Sequence, residues 1–213
     1  MNKQSKWELT PQKYMNKAEF DHLRKMTEAL ATLDLAKGRS TWVKAWMMID
    51  LVTQTGMRVM ELTRVKVSDL YFNRDPHIFV IGKKKKGTEE RKTREVSVGT
   101  ALIKHLKSYI QYSGLKEDDY LLQSSRGGQF TTMGLQLIFK RACKEAGLPS
   151  HYSIHAARHS FGTLLYAKYK DLRMVQKQLG HANIQTSTIY TDVPKDTIVD
   201  AMNGMFPENG EEE

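Results

Sequence analysis

The chain has 213 residues, and 33 lysines and arginines against 24 acidic residues leave a net charge of +9. That length suits one large domain or two small ones, and the basic excess favours a polyanion partner, with nucleic acid ahead of an anionic membrane surface. No apolar run approaches the length of a membrane span, the N-terminus lacks a signal-peptide core, and the single cysteine, Cys143, leaves no intramolecular disulfide, so a reducing, cytoplasmic setting is expected.

Residues 1–12 are polar and lysine-bearing, with Trp7 as the only large apolar anchor, and residues 1–14 are expected to form a basic arm. Asn16 caps a predicted helix from Lys17 to about Thr32 with Phe20, Leu23, Met26 and Leu30 on its apolar face. After the loop Lys37-Gly-Arg-Ser, a second helix starts at Ser40 or Thr41 and runs to Gln54. Its apolar spacing marks it as core. Thr55-Gly-Met-Arg58-Val-Met-Glu61-Leu follows. Gly56 permits a tight turn that aims Arg58 inward, and Glu61, three residues on, lies near enough to hold its guanidinium.

Ile78 to Ile81 has strand character, and Arg94 to Val98 alternates so that Val96 and Val98 share a face. Between them lies Lys83-Lys84-Lys85-Lys86-Gly-Thr-Glu-Glu-Arg91-Lys, the basic tip of a β-hairpin. Thr100 caps a helix to about Tyr112 with Leu102, Ile103, Leu106 and Ile110 inward. Tyr120-Leu-Leu is a short extended piece. Thr131 or Thr132 starts a helix to Ala146, with Lys140, Arg141 and Lys144 outward. Cys143 reads as a packing residue, although its cationic neighbours could lower its pKa.

Ser153 caps a helix in which His155 and Arg158 are three residues apart on one face, with His159 next. Asp171 caps another helix whose apolar stripe is Leu172, Val175 and Leu179. Gly180 occupies the left-handed C-terminal position, and His181 falls in the turn. Tyr190 lies nine residues beyond His181 on a third short helical segment. Ile198, Val199, Met202 and Phe206 form a last apolar stripe, and residues 207–213 close as an acidic tail. A cation, two imidazoles and a phenol brought together suit chemistry on a phosphodiester.

His155-Ala-Ala-Arg158-His159, then Leu179-Gly-His181, then Tyr190 resembles the signature of the tyrosine recombinase (phage integrase) family, in spacing as well as residue type. Thr55-Gly-Met-Arg58-Val-Met-Glu61-Leu resembles its first motif, and Met15-Asn-Lys-Ala-Glu-Phe the opening helix of its catalytic domain. The resemblance implies an α+β, mainly helical catalytic domain over 15–206, with a small antiparallel sheet carrying a catalytic lysine. It implies site-specific cutting and rejoining of DNA through a 3′-phosphotyrosyl link, without cofactor or metal. Arg58, His155, Arg158 and His181 would act on the phosphate, Tyr190 would attack it, Glu61 would support Arg58, and Lys83 would protonate the leaving group, with Lys86 as rival. Lys84, Lys85, Lys86, Arg91, Lys140, Arg141, Lys144 and His159 are the candidate contacts to double-stranded DNA. The C-terminal stripe would join a homo-oligomer, a tetramer on DNA, or fold back on its own domain.

Family members commonly carry an N-terminal helical domain, whereas only about fifty residues precede Thr55 here. An isolated catalytic fragment and a short single-domain recombinase both fit. Three rival functions remain at this level. His155 and His159 have a zinc-binding spacing, but Ala156 stands where a metalloprotease helix places glutamate. A non-catalytic DNA-binding regulator would keep the fold and lose the nucleophile or an arginine. A type IB topoisomerase would share the chemistry.

Overall fold

The structure is a computed structural model that describes residues 14–84, 87–124, 127–180, 199 and 202–205. The sequence places Lys85, Lys86, His181, Tyr190, Ile198 and Phe206, most of the expected arm and the whole expected tail outside the described residues, as well as the Lys83 side chain.

The chain is mainly helical, with one small sheet. Helices α1 (Lys17–Ala36), α2 (Thr41–Thr55) and the short α3 (Val59–Leu62) come first. Strands β1 (Leu70–Tyr71), β2 (His77–Lys84) and β3 (Arg91–Ser97) follow, then α4 (Thr100–Ser113), α5 (Thr132–Glu145), α6 (Ile154–Tyr169) and α7 (Leu172–Leu179).

Helix α2 is the spine. Twelve of its fifteen residues are buried, as expected of a helix packed on all sides. Helices α1, α4, α5 and α6 pack around it. Two of its threonines are satisfied within the helix: the Thr53 hydroxyl donates to Ile49 O at 2.7 Å and that of Thr55 to Leu51 O at 2.5 Å. Gly56 ends it in the left-handed region at φ 64°. A Cβ there would lie 2.6 Å from both Leu179 and Phe161, so only glycine lets α6 and α7 close on this corner.

Helix α1 runs one turn beyond the expected end because Asp34 extends its buried face (Phe20, Leu23, Thr27, Ala31) and then accepts from the Trp42 N–H at 2.8 Å, tying the α1–α2 loop. Asn16 and Glu19 form the capping box at its start. Thr100 is the first residue of α4 rather than its cap. Gly99 holds the cap position, and Asn203 Oδ1 accepts from the Thr100 N–H at 2.6 Å, supplying the capping bond from elsewhere in the chain. Tyr109 is buried with Leu102 and Leu106, while Ile103 and Ile110 pack only at the edge.

The expected hairpin is present and gains a third strand: the sheet is antiparallel in the order β1-β2-β3. Ile78 faces Val96 and Val80 faces Arg94, and the register breaks between Ile81 and Lys84. Helix α7 packs on β3, and α3 on β2.

The stripe expected in α7 is corrected. Leu172 is 55% exposed, and the buried set is Met174, Val175, Gln178 and Leu179. With Asp171 as cap, Leu172 opens the first turn about a quarter-turn away from the centre of that set. In the C-terminal stripe Met202 is buried against its own chain, near Gly99.

Candidate active site

Three segments far apart in sequence end at one place. The C-terminus of α2 delivers Gly56 and, after the turn, Arg58. The first turns of α6 deliver Arg158. The C-terminus of α7 presents its last carbonyls, which lack partners inside the helix. Arg158 spans the gap: its Nη1 donates to Gly56 O at 2.5 Å and its Nη2 to Leu179 O at 2.7 Å. Arg58 Nη2 donates to the next carbonyl, Gly180 O, at 3.1 Å. The two arginines therefore grip successive carbonyls immediately before His181.

Glu61 aims Arg58. Its Oε2 accepts from the Arg58 main-chain N–H at 2.8 Å, and its Oε1 from Arg58 Nη1 at 2.9 Å. Burial alone would raise the Glu61 carboxyl, but the guanidinium groups of Arg94 and Arg58 outweigh it and hold it below the usual range. Burial, and then the nearby Arg58 charge, pushes the Arg158 guanidinium down to about 9, so it stays protonated at neutral pH. Exposure is graded across the cluster: Glu61 and Arg158 are buried, whereas the Arg58 side chain is 34% exposed and forms the mouth.

Arg94 was not anticipated as a site residue. Its Nη2 donates to Glu61 Oε2 at 2.9 Å, and its Nη1 to Gln178 O at 2.5 Å. The strand alternation held a signal for it: Arg94 shares its face with Val96 and Val98, both buried, and a charge in the register of a buried face needs a partner. Arg64 was also missed. Its Nη1 donates to Gly82 O at 2.8 Å, tying the lysine-bearing end of β2 to the segment after α3.

The charge balance is decisive. Three guanidinium groups (Arg58, Arg94, Arg158) face one carboxylate, and the C-terminal ends of α2 and α7 together add about one negative charge. About one positive charge remains, at a mouth open through Arg58. That surplus suits an incoming anion.

Lys83 enters this neighbourhood by its backbone: a Cβ on the preceding Gly82 would lie 4.0 Å from Glu61 Oε1. His155 is exposed on the first turn of α6, one turn before the buried Arg158. His159 is exposed as well. Among the described residues no three His, Cys, Asp or Glu side chains are grouped to hold a metal ion.

The outlying basic residues divide. Lys84 pairs with Glu89, Lys140 donates to Ser150 O, and Arg91 and Lys144 are exposed. Arg141 lies over the Trp42 ring at 5.0 Å and lines a cavity of about 270 Å³ with Lys44, Phe130 and Ile138. Trp42 opens α2 and Gly56 ends it, about 20 Å along the axis, so that cavity is remote from the arginine cluster. Burial pushes the Cys143 thiol up to about 12, against the smaller opposing effect of Lys140, and the expected lowering by its neighbours does not occur.

Compared with known proteins, the chain matches the phage integrase family over residues 16–196. It belongs to that family, the tyrosine recombinases. It is 33% identical over 166 residues to tyrosine recombinase XerD of Listeria innocua, covering 75% of this chain and 54% of the relative. It is 30% identical over 186 residues to tyrosine recombinase XerH of Campylobacter jejuni, covering 87% and 49%. The chain thus spans about half the length of the curated relatives it matches. Among solved structures, XerH recombinase bound to its difH substrate before cleavage superposes with a TM-score of 0.64 at 27% identity, covering 80% of this chain and 47% of that one. The lambda integrase catalytic core shares the fold at a TM-score of 0.57 and 19% identity, covering 79% and 94%. No helix among the described residues is long and apolar enough to cross a membrane.

Proposed function

We propose that this chain is the catalytic domain, over about residues 15–206, of a site-specific recombinase that cuts and rejoins double-stranded DNA through a 3′-phosphotyrosyl intermediate in the cytoplasm. One observation carries the reading: Arg58 and Arg158 converge, with a positive surplus, on the carbonyls that lead directly into His181.

A phosphodiester is anionic and repels a nucleophile until cations neutralise it. Arg58 and Arg158 would bind the two non-bridging oxygens and stabilise the added charge of the pentavalent transition state. A phenol has an ordinary pKa of about 10, so Tyr190 needs its proton removed as it attacks, a task for His155 or His181 with the phosphate. The new bond joins Tyr190 oxygen to phosphorus, the bond from phosphorus to the 5′-oxygen breaks, and Lys83 protonates that oxygen. Because one phosphodiester replaces another, religation needs neither ATP nor a redox partner.

The other tyrosines near the sequence motifs are poorly placed for this role. Tyr166 and Tyr169 lie eight and eleven residues beyond Arg158 on α6, about 12 and 17 Å along the axis. For the lysine, the nearness of Gly82 to Glu61 favours Lys83 over Lys86. Lys84, Lys85, Arg91, Lys144 and His159 are proposed to meet DNA phosphates around the site. In the solved XerH complex the recombinase is bound to its difH substrate before cleavage. Assembly of several copies on DNA, up to a tetramer, is proposed likewise.

A nicked or suicide duplex tests the chemistry. Wild-type protein should form a denaturation-resistant DNA adduct, and Tyr190→Phe should not. DNA binding by wild-type protein without any adduct would favour the non-catalytic regulator instead.

A further inference from the structure

Among the residues that the proposed chemistry leaves unassigned, one side chain ties its own strand to two other elements of the site. Arg94 forks onto Glu61, with Nη2 to Oε2 at 2.9 Å and Nε to Oε1 at 3.4 Å. Its Nη1 donates to Gln178 O at 2.5 Å, one carbonyl before the pair held by Arg158 and Arg58. It stands on β3 opposite Val80, in the strand that leads to Gly82 and Lys83. Its shaft passes over Gly180 so closely that a Cβ there would lie 2.3 Å from Arg94 Cδ. The glycine of Leu179-Gly-His181 is therefore required twice, by its φ of 63° and by this crossing.

We propose that Arg94 is a positioning residue for DNA cleavage: by sharing Glu61 with Arg58 and holding the end of α7, it fixes the direction in which Arg58 meets the scissile phosphate. The proposal rests on the strand-transfer reading above. Arg58 is half-exposed on a flexible shaft, and its rotamer freedom works against any single aim. Glu61 restrains it only if the carboxylate is itself immobile. The Arg58 main-chain N–H holds one edge of that carboxylate, and Arg94 braces it from the sheet. The requirement is directional. Bonds run to a carboxylate on one side and a carbonyl on the other, which a planar guanidinium meets and an ammonium does not. Lysine at this position would keep the charge beside Glu61 and lose the tie to Gln178.

The test separates aim from grip. Single-turnover cleavage of a suicide duplex and gel-shift affinity for the same uncut duplex are measured for wild type, Arg94→Ala, Arg94→Lys, Glu61→Gln and the Glu61→Gln/Arg94→Ala double variant. Arg94→Ala should cleave slower by a factor on the order of 10–100, as for other residues that orient a reacting group through a partner. Its DNA affinity should stay within about threefold, and Arg94→Lys should fall between it and wild type. Because Arg94 and Glu61 share the aiming of Arg58, the double variant cleaves faster than the product of the two single losses predicts. Cleavage at the wild-type rate by Arg94→Ala, multiplied losses in the double variant, or a loss residing wholly in DNA affinity would each overturn the proposal. Should Arg94→Ala fail to fold, Arg94→Lys with an unchanged melting temperature must still cleave slowly, and wild-type cleavage by it overturns the idea equally. Absence of any wild-type adduct would instead remove the strand-transfer reading.

Discussion

Helix α2 carries a buried charge cluster at its middle and another at its end, and the two are built to opposite ends. At the middle, Asp50 Oδ1 accepts from Arg24 Nε at 3.1 Å and Nη2 at 2.7 Å, while Oδ2 accepts from His105 Nδ1 at 2.8 Å. The imidazole stacks on Trp46 with ring centroids 3.7 Å apart. One carboxylate meets one guanidinium and one imidazole, both its oxygens are taken, and the cluster is closed. It ties α1 and α4 to α2. At the C-terminal end, three guanidiniums share Glu61 and two helix ends, and about one positive charge is left over. A closed cluster holds a fold together. An open one has room for a further anion, which is the place the proposed chemistry gives to the scissile phosphate.

The sharpest way to separate the clusters is to remove the Asp50 carboxylate. Asp50→Ala leaves Arg24 without its counter-charge and should lower unfolding free energy by about 3 kcal/mol or more, measured by urea denaturation. Cleavage by the protein that remains folded should stay within about threefold of wild type. Arg158→Met should show the reverse. Loss of one donor to the phosphate should slow cleavage by a factor on the order of a hundred or more. Its stability loss should be smaller than that of Asp50→Ala, because removing a cation from a positive cluster relieves repulsion while two carbonyls lose a donor. Equal stability losses in the two variants would break the distinction.

Acid offers a milder probe. Burial tends to raise the Asp50 carboxyl, but the His105 hydrogen bond and the Arg24 charge outweigh it and bring it down to about 2, from 3.8. A carboxyl with a depressed folded-state pKa stabilises fully above its unfolded value and loses that contribution as pH falls through the folded one. About 2 kcal/mol should therefore disappear between pH 5 and pH 2, and urea midpoints across that range in wild type and Asp50→Ala should converge at the acid end. Glu61, also held low, adds a loss of the same sign. The smallest effect is expected at Cys143. Burial pushes its thiol up to about 12, so a thiol reagent at pH 8 should label it only after denaturant is added.

Much of the open cluster was legible in the sequence, because its residues sit in short motifs whose spacing is fixed by helix caps. Asn16, Ser153 and Asp171 cap the helices they were expected to cap, and Gly56 and Gly180 take the left-handed positions. Glu61 holds Arg58, and Arg58 and Arg158 grip adjacent carbonyls at the end of α7. Arg94 and Arg64 were not found, since their partners are carbonyls and a carboxylate brought in by tertiary packing, and no local spacing records them. The closed cluster was invisible for the same reason. Arg24, Asp50 and His105 read singly as ordinary helix residues, and only the packing of three helices reveals them as one unit. Leu172 misled because apolar spacing defines a stripe without saying which edge of it turns to solvent.

The most direct measurement is peptide mapping of the covalent product on a suicide DNA duplex, run in parallel on wild type and Arg158→Met. Convergence of the two arginines on one phosphate predicts DNA attached to the Tyr190 peptide in wild type and at least a hundredfold less in Arg158→Met. DNA on Tyr166 or Tyr169, or an undiminished adduct without the Arg158 guanidinium, would contradict it.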